Sequence, residues 1–140
     1  MKRFIRIFLI ALPLGYMLFI WILSSKPSDA VVRFGSQSDD LIREALHLIE
    51  FGILYFLILI ALHASGKPGL PAQSLAITIS IFYSIMDEIH QSFIPYRTAS
   101  LLDLLKDFIG IFLAYHLCKH YSKKIKISCL GDLLKKLGLF

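Results

Sequence analysis

Four long apolar runs, at residues 7–23, 45–62, 70–91 and 100–118, constrain this chain more than any other feature. The hydrocarbon core of a bilayer is about 30 Å thick and takes roughly 20 mostly apolar helical residues to cross. Each run approaches that length, and the third carries no charged side chain from Leu70 to Met86. In lipid every backbone N–H and C=O must be satisfied within its own segment, so such runs predict helices. Composition points the same way. Of the 140 residues 56% are hydrophobic and mean hydropathy is +0.69, more apolar surface than a soluble globule of this size hides. The predicted fold class is all-α, a polytopic membrane protein. It has a four-transmembrane-helix bundle in residues 1–120 and a basic amphipathic cytoplasmic tail in residues 121–140.

The first run follows Lys2, Arg3 and Arg6 and ends near Trp21, where an indole favours the membrane interface. A signal peptide has the same basic start and apolar run, but a shorter one. The length of this run, and Pro13 and Tyr16 within it, favour a retained span. Connectors rich in Gly, Pro and Ser separate the runs at residues 24–44, 63–69 and 92–99. No internal repeat or low-complexity stretch is evident.

The formal charge of +5 and isoelectric point near 9.3 raise the question of nucleic acid. The basic residues sit at the two ends and in short connectors rather than in a stripe, which is how membrane proteins carry them, so no nucleic-acid partner is expected. Lysine and arginine counts set the orientation. Lys2, Arg3, Arg6, Lys67 and the tail lysines from Lys119 to Lys136 place both termini and the loop at Lys67 on the cytoplasmic side. The connectors holding Arg43 and Arg97 then face outward. The tail reads as an interfacial helix on anionic lipid, and a solvated tail fits equally well. Cys118 and Cys129 lack a metal-type spacing and read as unpaired thiols.

Against this background the polar residues stand out. His47 and Glu50 share one face at the outer start of the second run. Asp87, His90 and Gln91 share a face at the outer end of the third, with Glu88 turned about 100° away by helical pitch. Arg97 follows in the outer loop, and Asp103, Lys106 and Asp107 open the fourth run. Three segments thus bring titratable groups to one depth. A charged group at a helix centre costs roughly 2.5 to 3.5 kcal/mol on insertion scales. The pattern therefore predicts a shared pocket reached by water. An ion-pair network that only fixes helix packing is the plainer reading, and for any one residue the better one. It weakens for the whole one-sided set, because burying many ionisable groups is a poor way to stabilise. Phe51, Tyr55, Phe56, Phe82 and Tyr83 read as packing or lipid contact.

At these residues the chain resembles the VanZ-like family, small bacterial membrane proteins named after a protein encoded with glycopeptide-resistance genes. The resemblance rests on "LIREALHLIEFGILYFLI" at 41–58, "SIMDEIHQSFIPYRTASLLDLLKDFIG" at 84–110 and "LSS" at 23–25. It covers nearly everything up to about residue 120. It implies functional positions at His47, Glu50, Asp87, Glu88, Gln91, Arg97, Asp103 and Gly110, and reduced susceptibility to teicoplanin-type lipoglycopeptides in some members. This sequence departs from the family pattern at Asp107, where Asn is usual, and at Arg43, where Lys is usual.

Three function classes follow. The first is an enzyme at the outer leaflet acting on a lipid-linked or cell-wall substrate. His47, Glu50, Asp87, Glu88 and Asp103 would be the catalytic groups, one carboxyl donating a proton and a neighbour paired to Arg97 acting as base. Gln91, Arg97, Lys106, Asp107 and His90 would bind substrate, the cations meeting phosphate. No serine or cysteine lies in a recognisable nucleophile motif, which leaves hydrolysis by water. As a sub-case, a divalent metal would sit on His47, Glu50, Asp87 and His90, whose i, i+3 spacings match carboxylate–histidine sites in helix bundles. The second class is a binding or shielding protein, or a small transporter, for envelope precursors or lipoglycopeptide. There the acids would recognise ammonium groups and Arg97 an anion. A structural subunit of a larger envelope complex is a third class.

Overall fold

The computed structural model of the protein describes residues 2–26, 38–67, 69–95 and 100–124. Among them the chain is all-helical, with α1 (Lys2–Ser24), α2 (Ser38–Ala64), α3 (Leu70–Gln91) and α4 (Leu101–Lys124). Two helices are long and apolar enough to cross a membrane, over Arg3–Ser24 at mean hydropathy 2.3 and Leu46–Ala64 at 2.0. Arg97, Cys129 and the tail beyond Lys124 lie outside the described residues.

The helices extend well beyond the apolar runs at three places. Helix α1 begins at Lys2 rather than at residue 7. Helix α2 starts at Ser38, inside what reads from the sequence as a connector. Hydropathy marks the part of a helix suited to lipid, not where the helix begins. Helix α4 runs on to Lys124, beyond the end of its apolar run.

The turn from α2 into α3 is a Schellman motif. The Lys67 N–H bonds the Leu62 carbonyl at 3.0 Å and the Gly66 N–H bonds that of His63 at 2.9 Å. Gly66 adopts φ 78°, a left-handed conformation that glycine takes without a Cβ penalty. Pro71 at the start of α3 has no N–H to leave unsatisfied.

Helix α2 is the centre of the bundle and packs on α1, α3 and α4, while α3 also touches both α1 and α4. The apolar core consists of Phe51, Leu54, Tyr55, Ile58 and Leu59 of α2 with Ile20, Ala72, Ala76 and Ile111 from the other three helices. The outer surface is where the large apolar side chains lie. Leu75, Phe82, Ile85, Met86 and Ile89 of α3 are exposed, whereas its buried residues are Ala72, Ala76, Ser80, Ser84, Asp87, Glu88 and Gln91. Helix α4 does the same, exposing Leu105, Ile109, Phe112 and Leu113 and burying Asp107. This reverses the arrangement of a soluble protein, where exposed large apolar patches are rare and buried charges rarer.

Candidate functional site

The polar residues gather where the C-terminal ends of α1 and α3 meet the N-terminal ends of α2 and α4. The approach of α2 to α4 sets the geometry. A Cβ on Gly110 would collide with the backbone carbonyl of Leu48, and one on Gly52 would stand 3.3 Å from the Gly110 oxygen. Only glycine at 110 lets the two backbones come this close. His47 directly precedes Leu48, and Asp107 lies one turn before Gly110, so the same contact brings their side chains together. His47 Nδ1 is 3.4 Å from Asp107 Oδ1, the histidine side chain 15% exposed and the carboxylate 1%. Both atoms are buried without a hydrogen bond. At 3.4 Å the attraction is one of charge rather than a formed hydrogen bond.

Helix α3 presents its polar end in two directions. Asp87 Oδ2 accepts from Ser24 Oγ at 2.9 Å and from Gln91 Nε2 at 2.6 Å, so this carboxylate ties α3 to α1. Glu88, about 100° around the helix, turns to α4. Its Oε1 accepts the Ser100 N–H at 2.6 Å, just ahead of a helix whose Leu102 N–H in turn bonds Ser100 Oγ at 3.2 Å. A carboxylate at a helix N-terminus satisfies a donor the helix cannot and complements its dipole. The other oxygens, Asp87 Oδ1 and Glu88 Oε2, are buried with no hydrogen-bond partner among the described residues.

His90 stacks on Trp21 with ring centroids 3.8 Å apart and meets Ser25 Oγ at 2.9 Å through Nε2. Lys106 donates to Asp103 at 3.0 Å, both half-exposed at the rim. The separate pairs form one electrostatic group. Glu88 lies in range of Asp103, His47 and Asp87, Asp107 in range of Glu88 and Asp87, and His47 in range of Glu50. Glu50 also offers its backbone carbonyl to Tyr16 Oη at 3.3 Å.

Of the sequence-derived candidates, His47, Glu50, Asp87, Glu88, Gln91, Asp103 and Asp107 therefore converge. His90 joins through α1, Lys106 stands at the rim, and Arg97 lies outside the described residues. Within this group Asp87 and Gln91 are each 2% exposed and Asp107 1%. Among the described residues no three His, Cys, Asp or Glu side chains are grouped to hold a metal ion. The set of His47, Glu50, Asp87 and His90 does not assemble as ligands, because His90 is turned to Trp21 and Ser25 while His47 faces α4.

Four helices contribute, not the three expected. Trp21 and Ser24 of α1, with Ser25 just beyond it, join the site; the "LSS" at 23–25 entered the family resemblance, but none of the three was named as a site residue. Tyr83, read as packing, also donates its hydroxyl to the Met17 carbonyl. Away from this cluster, an apolar groove of about 420 Å³ runs along α1 beside Gly15 and Leu57. It offers contact to hydrocarbon and no polar chemistry.

A model of the VanZ/LLP1 family matches residues 3–123. No curated protein matches the chain, and no solved structure does.

Proposed function

We propose that this chain, which belongs to the VanZ/LLP1 family, is a four-span envelope protein whose polar cluster performs acid–base hydrolysis on a lipid-linked or cell-wall substrate at the outer leaflet. Helices α3 and α4, with 22 and 24 residues, span about 33 and 36 Å at 1.5 Å per residue, enough to cross the hydrocarbon. Their inside-out distribution of apolar and polar side chains supports placing them in lipid beside α1 and α2. The basic residues at both chain ends support cytoplasmic termini, and the cluster then faces outward.

The single observation that carries the chemical reading is the buried approach of His47 to Asp107 at 3.4 Å beside carboxylate oxygens of Asp87 and Glu88 that no donor among the described residues satisfies. Desolvating several ionisable groups costs more than their mutual attraction returns unless every lone pair is used. Incompletely satisfied carboxyl groups around an imidazole are suited to giving and taking protons. In this reading His47, oriented by Asp107, activates water. Glu88 or Asp87 delivers a proton to the leaving group, Glu50 and Asp103 shape the field, and Gln91, His90, Lys106 and Arg97 hold the head group. Family membership supports a role in teicoplanin susceptibility.

The test is a strain lacking the gene, complemented with the native chain or with Asp87→Asn, Glu88→Gln or His47→Gln at matched membrane abundance. Teicoplanin susceptibility and the mass spectrum of membrane lipids and wall precursors are then measured. The reading requires the native gene alone to restore the phenotype together with a changed lipid or precursor species. Full function in all three variants would eliminate it. The near-complete burial of Asp87 and Asp107 favours a second reading, in which the cluster binds or moves an envelope precursor or lipoglycopeptide without altering it. An unchanged mass spectrum alongside a restored phenotype would select that one.

A further inference from the structure

Serine and threonine hydroxyls in this bundle commonly bond the backbone of their own helix. Ser25 and Ser65 donate to the carbonyl four residues back at 2.7 and 2.8 Å, and Thr78 does so at 3.0 Å. Such a bond satisfies a hydroxyl without help from any other element. Ser24, 4% exposed, instead donates across to α3, to Asp87 Oδ2 at 2.9 Å. Gln91 Nε2 donates to the same oxygen at 2.6 Å and stands 3.5 Å from Ser24 Oγ. The three side chains close a triangle between the end of α1 and the end of α3.

A carboxylate oxygen offers two lone pairs, and two donors at Oδ2 use both. A proton carried by Asp87 then belongs on Oδ1, which is buried and has no hydrogen-bond partner among the described residues. Donors from two different helices also fix the plane of the carboxyl group, and proton transfer depends on that orientation. Without the Ser24 hydroxyl the group would be held from its own helix alone. Glu88, the other carboxyl placed to deliver a proton, accepts the Ser100 N–H and so holds the start of α4.

We propose that Ser24 is a positioning residue: with Gln91 it occupies Oδ2 of Asp87, so that Oδ1 is the oxygen that hands a proton to the leaving group. The assignment rests on the hydrolytic reading above. In that step His47 takes a proton from water, and the oxygen of that water bonds the substrate centre. The bond from the centre to the leaving oxygen breaks, and this oxygen takes the proton from Asp87 Oδ1. Asp87 is left as a carboxylate whose charge is met by two donors already in place. One proton passing from His47 back to Asp87 restores both groups. Ser24 acts through Asp87.

The test measures how fast the altered lipid or precursor species accumulates in the complemented deletion strain, at matched membrane abundance. Ser24→Ala should slow it roughly tenfold, equivalent to about 1.4 kcal/mol added to the barrier. Ser24→Cys, similar in size but a weak donor, should show the same loss and decides the matter if Ser24→Ala does not incorporate. Ser24→Thr, which keeps a hydroxyl, should recover most of the native rate. Phe82→Leu, on the exposed side of α3, should equal it. In infrared spectra of the purified full-length chain, the carboxyl band that vanishes in Asp87→Asn should shift in Ser24→Cys and stay in place in Ser24→Thr. A serine needed only for its size would tolerate cysteine. Native accumulation in Ser24→Cys, no recovery in Ser24→Thr or an unshifted band would overturn the assignment and leave the hydrolytic reading standing. A native gene that alters no species would remove the hydrolytic reading, and this assignment with it.

Discussion

Gly110 meets the carbonyl of Leu48 so closely that a Cβ there would overlap it, and this contact fixes how α2 crosses α4. Crossing positions built from small residues are usual between membrane helices, where close backbone packing replaces the hydrophobic drive. Here the crossing has a chemical consequence, since it holds His47 and Asp107 at 3.4 Å.

Gly110→Ala should therefore be among the most damaging single changes in the chain. Overpacking typically costs about 1–3 kcal/mol, and more where the obstacle is backbone. Gly52→Ala, whose Cβ would stand 3.3 Å from the Gly110 oxygen, should cost less. Thermal unfolding in detergent ranks the two, and equal midpoints would show that the crossing is not tight.

The pairing of His47 with Asp107 predicts energetic coupling. In a double-mutant cycle of His47→Ala and Asp107→Ala, contacting partners show an interaction energy of about 0.5–3 kcal/mol. The double variant should be less destabilised than the sum of the singles. Strict additivity in denaturation midpoints would mean that the two groups do not act as a pair.

Glu88→Gln keeps the shape of the side chain but turns a charged acceptor at Ser100 into a neutral one. Loss of a capping interaction costs about 0.5–2 kcal/mol, and local opening frees the first amides it protects. Hydrogen exchange at Leu102, Asp103 and Leu104 should quicken in this variant while the middle of α2 is unchanged. Uniform exchange along the chain would count against the cap.

Trp21→Leu removes the ring that stacks on His90 at 3.8 Å. Aromatic pairs add about 0.5–1.5 kcal/mol beyond the area they bury. Thermal stability should fall modestly, and the His90 ring protons should lose their ring-current shift in NMR spectra. An unmoved His90 signal would show that the stack does not form in solution.

The helices themselves were legible in the sequence, and so was the placing of the charged groups at one set of helix ends. Asp87, Glu88 and Gln91 could be put on their respective faces from pitch alone. The start of α2 at Ser38 was not legible, because polar helical turns resemble a loop when hydropathy is the guide. Nor was the part played by α1. Ser24 and Ser25 acquire meaning only once Asp87 and His90 arrive beside them from 63 and 65 residues away.

What the sequence determined alone is local and additive: how long each apolar stretch runs, which residues share a helix face, and at which end the charges lie. Tertiary structure alone decided which carboxylate meets which partner, Asp87 with Ser24, Glu88 with Ser100 and Asp107 with His47. It also buried Asp87, Gln91 and Asp107 almost completely. Those outcomes depend on how far each helix is rotated and how closely it approaches its neighbour. The absence of one side chain at Gly110 sets that approach, and no sum over neighbouring residues reveals it.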